Sequence, residues 1–186
     1  MVEGAGNTPE QPGCVATPTD AQIYSAVRNW LLALLPAGVQ VVQGQQNRVA
    51  SPPVPFVTLT ITRRTRLATN SWSYTPTTRE VCEPVELGLQ LGLFGPQAGG
   101  YVQAITALWR DPQAVAFFAP LPFQLVPLDV GPPCQSEFRD GEHQYEQNWS
   151  VDLHMQVTFR LSIAQDFATT LSVTALSADV TAPPEE

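Results

Sequence analysis

Residues 149–163 alternate without a break. Trp149, Val151, Leu153, Met155, Val157, Phe159, Leu161 and Ile163 point one way; Ser150, Asp152, His154, Gln156, Thr158, Arg160 and Ser162 point the other. Successive Cβ atoms leave opposite sides of a pleated strand, so this pattern predicts a β-strand with one apolar and one polar face. A strand ordinarily runs about 5 or 6 residues. Extended at about 3.4 Å per residue, this one reaches about 50 Å. A compact chain of this length has a radius of gyration of about 16 Å and spans roughly 40 Å. The strand must therefore bend around its own domain or project beyond it to meet another subunit. That favours an assembly protein over a solitary enzyme.

The chain has 186 residues and is 44% hydrophobic, enough for one domain with its own core. Its net charge of −8 leaves no basic footprint for gripping a phosphate backbone. There is no lysine, and all nine basic residues are arginines. Arginine suits fixed, bidentate ion pairs, but GC-rich coding bias explains the same composition and is the preferred reading. Cys14, Cys82 and Cys134 are odd in number and widely spaced, which signals neither a disulfide framework nor a zinc site. The N-terminus has no basic region followed by an apolar core, so no signal peptide is expected. No apolar run approaches the roughly 18 residues of a membrane helix. A reducing cytosol, or a particle assembled there, is the expected setting.

Residues 1–18 read as a disordered arm, 19–176 as a single α+β domain and 177–186 as a flexible tail. Thr19 and Gln22 form a capping-box pattern ahead of a helix whose inner face carries Ile23, Val27, Trp30, Leu31 and Leu34. Pro36 and Gly38 end it. Strands are predicted at Val39–Val42, Phe56–Leu67, Val85–Phe94 and Phe123–Leu128, the last suited to an edge by Pro127. Leu171, Val173 and Ala175 add a further candidate. A second helix starts near Gln97 with Tyr101, Val102, Ile105, Leu108 and Trp109 inward; Asp111 and Pro112 close it, and a short helical turn is possible from Gln113 to Phe118. Residues 68–84 carry no readable pattern and suit a hairpin loop or a projection. The result is a mostly antiparallel sheet of long strands with two helices on one face.

The chemistry-bearing residues are few. No G-x-S-x-G, P-loop or G-x-G-x-x-G occurs. Asp152 and His154 share a strand face and can be drawn as an acid–base pair, but with no convergent third group a solvated or subunit-facing polar face is the better reading. Arg160 lies on that same face. Asp140, Glu142, His143 and Glu146 cluster around Gly141 without the ligand spacing of a Ca²⁺ loop, so no metal is expected. Arg64 and Arg66 share one strand face and Arg63 takes the other. Without stacking aromatics beside them, salt bridges to another subunit are preferred over nucleic-acid contact. Gly88 and Gly92, on the polar face of their strand, suit either a close backbone approach or a bulge. No cofactor and no enzymatic activity are expected.

Three stretches in order carry a family resemblance. They are Gln46-Asn47-Arg48-Val49 followed by Pro53 and Pro55-Phe56-Val57; Leu93-Phe94-Gly95-Pro96-Gln97-Ala98; and Phe138-Arg139-Asp140 with Gln144-Tyr145-Glu146, leading into the long strand and ending at Gln165-Asp166-Phe167. Across roughly residues 20–176 the chain resembles the neck or tail-terminator family of tailed bacteriophages. The resemblance implies an α+β subunit of a ring, usually hexameric, at the head-proximal end of the tail. Such a ring stops tail-tube polymerisation, meets the tube protein on one side and the head–tail connector on the other, and lets genomic DNA through its lumen without sequence-specific binding. It implies a virion protein assembled in the host cytoplasm, with no membrane partner.

The residue reading is compatible with this. A ring buries sheet edges, and an acidic lumen does not hold DNA. The structural or subunit-interface candidates are Asn47 and Arg48 in a loop between strands, Gly95 and Pro96 at a strand-to-helix turn, and Tyr145 and Trp149 anchoring the long strand. Arg64, Arg66, Asp152, His154 and Arg160 complete the set. Two other readings stand beside the terminator: an adjacent neck role (head closure or tail completion), and a tail assembly factor absent from the finished particle.

Overall fold

The computed structural model describes residues 15–45, 52–139 and 145–165, with side chains 137–139 and 145–146 outside that description. The chain begins with α1 (Asp20–Leu34), whose N-cap Thr19 and Gln22 close the capping box in both directions. The box satisfies backbone donors that a helix start leaves unpaired. Ile23, Ala26, Val27, Trp30 and Leu31 are buried at helical spacing. The strands β1 (Gln40–Gln43), β2 (Phe56–Arg66), β3 (Ser71–Tyr74) and β4 (Thr78–Phe94) follow. Next come α2 (Ala98–Trp109), α3 (Pro112–Phe118), β5 (Leu125–Val130), β6 (Cys134–Arg139) and β7 (Tyr145–Ala164).

Seven strands among the described residues make one sheet in the order β1-β2-β4-β7-β5, with β3 joined to β4 and β6 to β7. Only the β1–β2 pair is parallel; every other pair is antiparallel. The central ladder couples β4 and β7 from Thr78↔Ala164 to Phe94↔Asn148. Odd-numbered residues of β4 from Val85 to Leu93 and of β7 from Val151 to Phe159 enter one apolar core with all three helices, and no buried polar side chain interrupts it among the described residues.

At the centre of that core, Trp30 and Trp109 meet edge to face at 5.2 Å with Phe118 beside both. Such aromatic geometry adds about 0.5–1.5 kcal/mol per pair beyond area burial. Trp109 Nε1 donates to the His154 carbonyl at 3.1 Å, alongside the irregularity where β5 shifts register between Pro127 and Asp129. The indole thus serves a strand carbonyl where β5 is out of regular register.

The structure corrects the expected elements in four places. A third helix, α3, stands where only a turn was read, and Asp111 is its N-cap, accepting from Gln113 N at 2.8 Å, rather than the stop of α2 alone. The unreadable residues 68–84 contain β3 and the first half of β4. Pro84 is tolerated inside β4 because its carbonyl accepts from Leu67 N where β2 ends. A residue's N and O leave a strand on the same side, so the missing N–H falls where β4 passes from β2 to β3. β6 was not anticipated at all. Thr17, inside the segment read as an arm, exchanges two hydrogen bonds with Arg160, at 2.9 and 2.7 Å.

The far ends of β4 and β7 run past Val81 and Phe159, the last buried residues of the core on those strands. Beyond them Leu161 and Ile163 are half-buried. With β3 these ends form a distal arm, on which Trp72 is 58% and Tyr74 59% exposed. The excess length of the alternating strand is used here. Asn47 and Arg48, Cys14, the 171–175 strand candidate and the side chains of Asp140, Glu142, His143 and Glu146 lie outside the described residues.

Candidate functional site

The face of the sheet opposite the helices is built from the even-numbered residues of β4 and β7. Phe56 and Phe94 stack at one end with ring centroids 4.5 Å apart. Next to them Thr58 lies opposite Gly92, which lies opposite Ser150; then come Thr60, Gln90 and Asp152. A register shift between Ile61 and Arg63 follows, with Thr62 as the extra residue. A bulge changes the parity of everything beyond it. Arg63 therefore stands opposite Gly88 on the open face, and Arg64 opposite Leu87 on the helix side.

The bulge assembles a cluster. Arg63 Nη2 lies 2.9 Å from Glu86 Oε1, and His154 Nδ1 lies 3.0 Å from the same oxygen. A carboxylate only accepts, so Nδ1 carries its proton toward Glu86. The 3.4 Å approach of Arg63 Nη2 to His154 Nδ1 then joins two donors, and both bonds end on Glu86. Glu86 and His154 side chains are about a quarter exposed and Arg63 more than half. No hydrogen bond joins Asp152 to His154 among the described residues; Asp152 is exposed opposite Gln90. The acid beside the histidine is Glu86, one strand over. Its sequence signal was its place on the polar face of an alternating strand, two residues before Gly88, but the β4–β7 register that brings it to His154 is not written locally.

Arg64, Arg66 and Arg160 are also paired within the chain. Arg64 pairs with Asp20 in the first turn of α1 and lies 5.4 Å above the Phe159 ring. Arg66 Nε meets Glu83 at 2.7 Å, and Arg160 Nη1 meets Glu80 at 3.7 Å. These are exposed pairs, worth about 0.2–1 kcal/mol each. Each of these arginines thus has an acidic partner within its own chain. Gly88 and Gly92 are closely approached by side chains of β2: a Cβ at Gly92 would sit 2.7 Å from Thr58 Oγ1, and one at Gly88 would sit 3.3 Å from Arg63 Cβ.

Gly95 has φ of 119°, and its N–H donates to Gln147 O at 3.0 Å, tying the β4–α2 turn to β7. Pro96 follows it on the surface. Trp149 is half-buried against the core, its indole beside Gly99. Tyr145 pairs through its backbone with Arg139. These candidates fall into two groups. Gly95, Pro96 and Trp149 sit at the α2 end of the sheet, while Arg64 and Arg66 sit at the far end of β2 and Arg160 where the arm begins. His154 lies opposite Gly88, between Trp149 and Arg160 along β7.

Among the described residues no three His, Cys, Asp or Glu side chains gather as a metal site, and no helix is long and apolar enough to cross a membrane. What the sheet offers is surface: long strands, an open polar face and an aromatic-tipped arm. A family model described as phage neck terminator protein matches residues 21–182.

The chain belongs to the phage neck terminator family.

The match begins at the second residue of α1 and continues past β7, so it covers every helix and strand described above. Membership gives the neck terminator chain a structural role at the tail and neck of a phage particle. A search of curated proteins finds no match to it.

Proposed function

We propose that this neck terminator is a structural virion protein that forms a ring, of six copies, at the head-proximal end of the tail. The ring ends tail-tube polymerisation and presents its other side to the head–tail connector, with genomic DNA passing through the lumen. The observation that carries the proposal is the family match over residues 21–182, joined to a β4–β7 ladder long enough to extend beyond its own core. The net charge of −8 is compatible with a channel that DNA crosses without adhering.

The test is electron microscopy of a lysate from a phage lacking this gene. Overlong or ragged tails separated from filled heads are expected. Normal-length tails beside heads that leak DNA would move the protein to the head-closure layer. Intact, infectious particles would remove the neck assignment.

A further inference from the structure

An apolar row crosses the arm and ends on an edge strand. Trp72 of β3 lies opposite Val81 of β4, and Val81 opposite Leu161 of β7, on the helix side of the sheet beyond the core. Trp72 is exposed, while Ser73 beside it faces the other way, its Oγ donating to Glu80 at 3.2 Å. Among the described residues β3 has β4 on one side and no strand on the other. Neither lysine nor proline, the usual guards of an open edge, occurs within β3. One row nearer the tip, Arg79 Nε is buried with no acceptor among the described residues.

β7 delivers the rest of the chain to this place. Gln165 N–H donates to Thr77 O at 3.1 Å, in the turn between β3 and β4, and residues 166–186 follow it. Five extended residues span about 16 Å, and crossing from β7 past β4 and β3 takes three strand spacings, about 14 Å. Residues 166–170 therefore reach the outer side of β3, and 171–175 return from the tip antiparallel to it. There Leu171, Val173 and Ala175 alternate with Ser172 and Thr174. With Val173 opposite Trp72, Leu171 falls opposite Tyr74, and Ser172 and Thr174 fall opposite Ser73 and Ser71. Apolar side chains then extend the apolar row and hydroxyls extend the open face; a slip of one residue would reverse them all. Residues 166–186 also carry Asp166, Asp179, Glu185 and Glu186 and no basic residue, which complements the unmatched Arg79. The family match runs to residue 182, through the whole of this stretch.

We infer that residues 171–175 add to the outer edge of β3 of their own chain as a further antiparallel strand beside Trp72. The occupant is this chain's own segment because it leaves β7 at the tip with the length, alternation and charge that the edge requires. The contact lies within one chain and stands or falls independently of the ring.

The test uses the full chain carrying Cys82→Ser with Ser73→Cys and Ser172→Cys, which the register sets face to face within disulfide reach. Mild oxidation and peptide mapping are expected to give a 73–172 disulfide within monomers, and no cross-link when Ser73→Cys is combined with Val173→Cys, which faces the other side. Covalent dimers joined 73 to 172 would assign the edge to a neighbouring copy's tail and overturn the contact within one chain. Absence of any 73–172 bond overturns the strand. In the chain without these cysteine changes, Val173→Asp is expected to speed hydrogen exchange about tenfold or more at the β3 amides turned away from β4, while the paired centre of β4 and β7 stays protected. Unchanged exchange in β3 overturns the inference even where the cysteines cross-link, since a disulfide can trap a rare encounter. Val173→Thr, which keeps the branched shape and adds only a hydroxyl, gives the same readout should the aspartate variant not fold.

Discussion

Arg63 Nη2 lies 2.9 Å from Glu86 Oε1 on the open face of the sheet, and it reaches that face because Thr62 is an extra residue in β2. Alternation from Val57 through Ile61 would otherwise carry residue 63 toward the core. The bulge thereby places the Arg63 charge where water and a carboxylate share it, and leaves the helix-side position opposite Leu87 to Arg64. A double-mutant cycle with Arg63→Ala and Glu86→Gln is expected to give a coupling of about 0.2–1 kcal/mol, since Arg63 is more than half exposed. The coupling should shrink in about 1 M salt, where the Debye length is about 3 Å. A salt-independent coupling would show that the pair is shielded in solution.

Trp109 ties the helical layer to the sheet through its bond to the His154 carbonyl. Trp109→Phe retains a ring but leaves that carbonyl without its donor, for an expected loss of about 1–3 kcal/mol. Trp109→Ala also opens a cavity beside Trp30 and Phe118 and should lose about 3–5 kcal/mol. Urea unfolding of the two variants separates the terms; equal losses would mean that the hydrogen bond carries most of the effect.

Gly95 and Gly100 lie five residues apart and should respond to alanine with opposite signs. At Gly95, φ is 119° and a Cβ would meet Pro55 at 3.2 Å, so Gly95→Ala should destabilise by about 1–3 kcal/mol. Gly100 is within α2 and a Cβ there meets nothing within 4 Å, so Gly100→Ala should stabilise by about 0.5–1 kcal/mol. Chemical denaturation of both variants checks the contrast, and destabilisation at Gly100 would point to a contact with another subunit.

Thr19→Ala should remove the side-chain half of the capping box at the start of α1, leaving the backbone N–H of residue 19 on Gln22 Oε1, and cost about 0.5–2 kcal/mol, while Thr19→Asp should retain most of the stability. Thermal melts of the pair measure this. Because Asp20 in the same turn pairs with Arg64, the alanine variant should also loosen the attachment of α1 to the end of β2. Hydrogen exchange at residues 64–66 reads that second effect.

Elements whose side chains carry their own period were legible. The helix cap at Thr19, the buried stripe from Ile23 to Leu31 and the alternation of β7 could be read off the chain, because each is set by neighbours within one or two turns or pleats. Elements stabilised mainly by a partner strand were not. β3, with Ser71 and Ser73 alternating with its aromatics, and β6, with a polar run from Cys134 to Glu137, are strands because β4 and β7 offer them backbone hydrogen bonds. Asp152 was within reach of the reading as a partner for His154, since both are on one strand. Glu86 was not, since 68 residues separate it from the histidine it meets.

The sequence by itself determined where an apolar face exists, that the central strand is unusually long and how α1 begins, since all three follow from side-chain chemistry repeated at a local period. Tertiary structure decided which strands are neighbours and in what register, and so which acid meets His154 and how far β4 and β7 run past the core. The reason is physical. Backbone hydrogen bonds are nearly blind to side-chain identity, so the pairing that unites distant segments is chosen by closing one core over the whole chain.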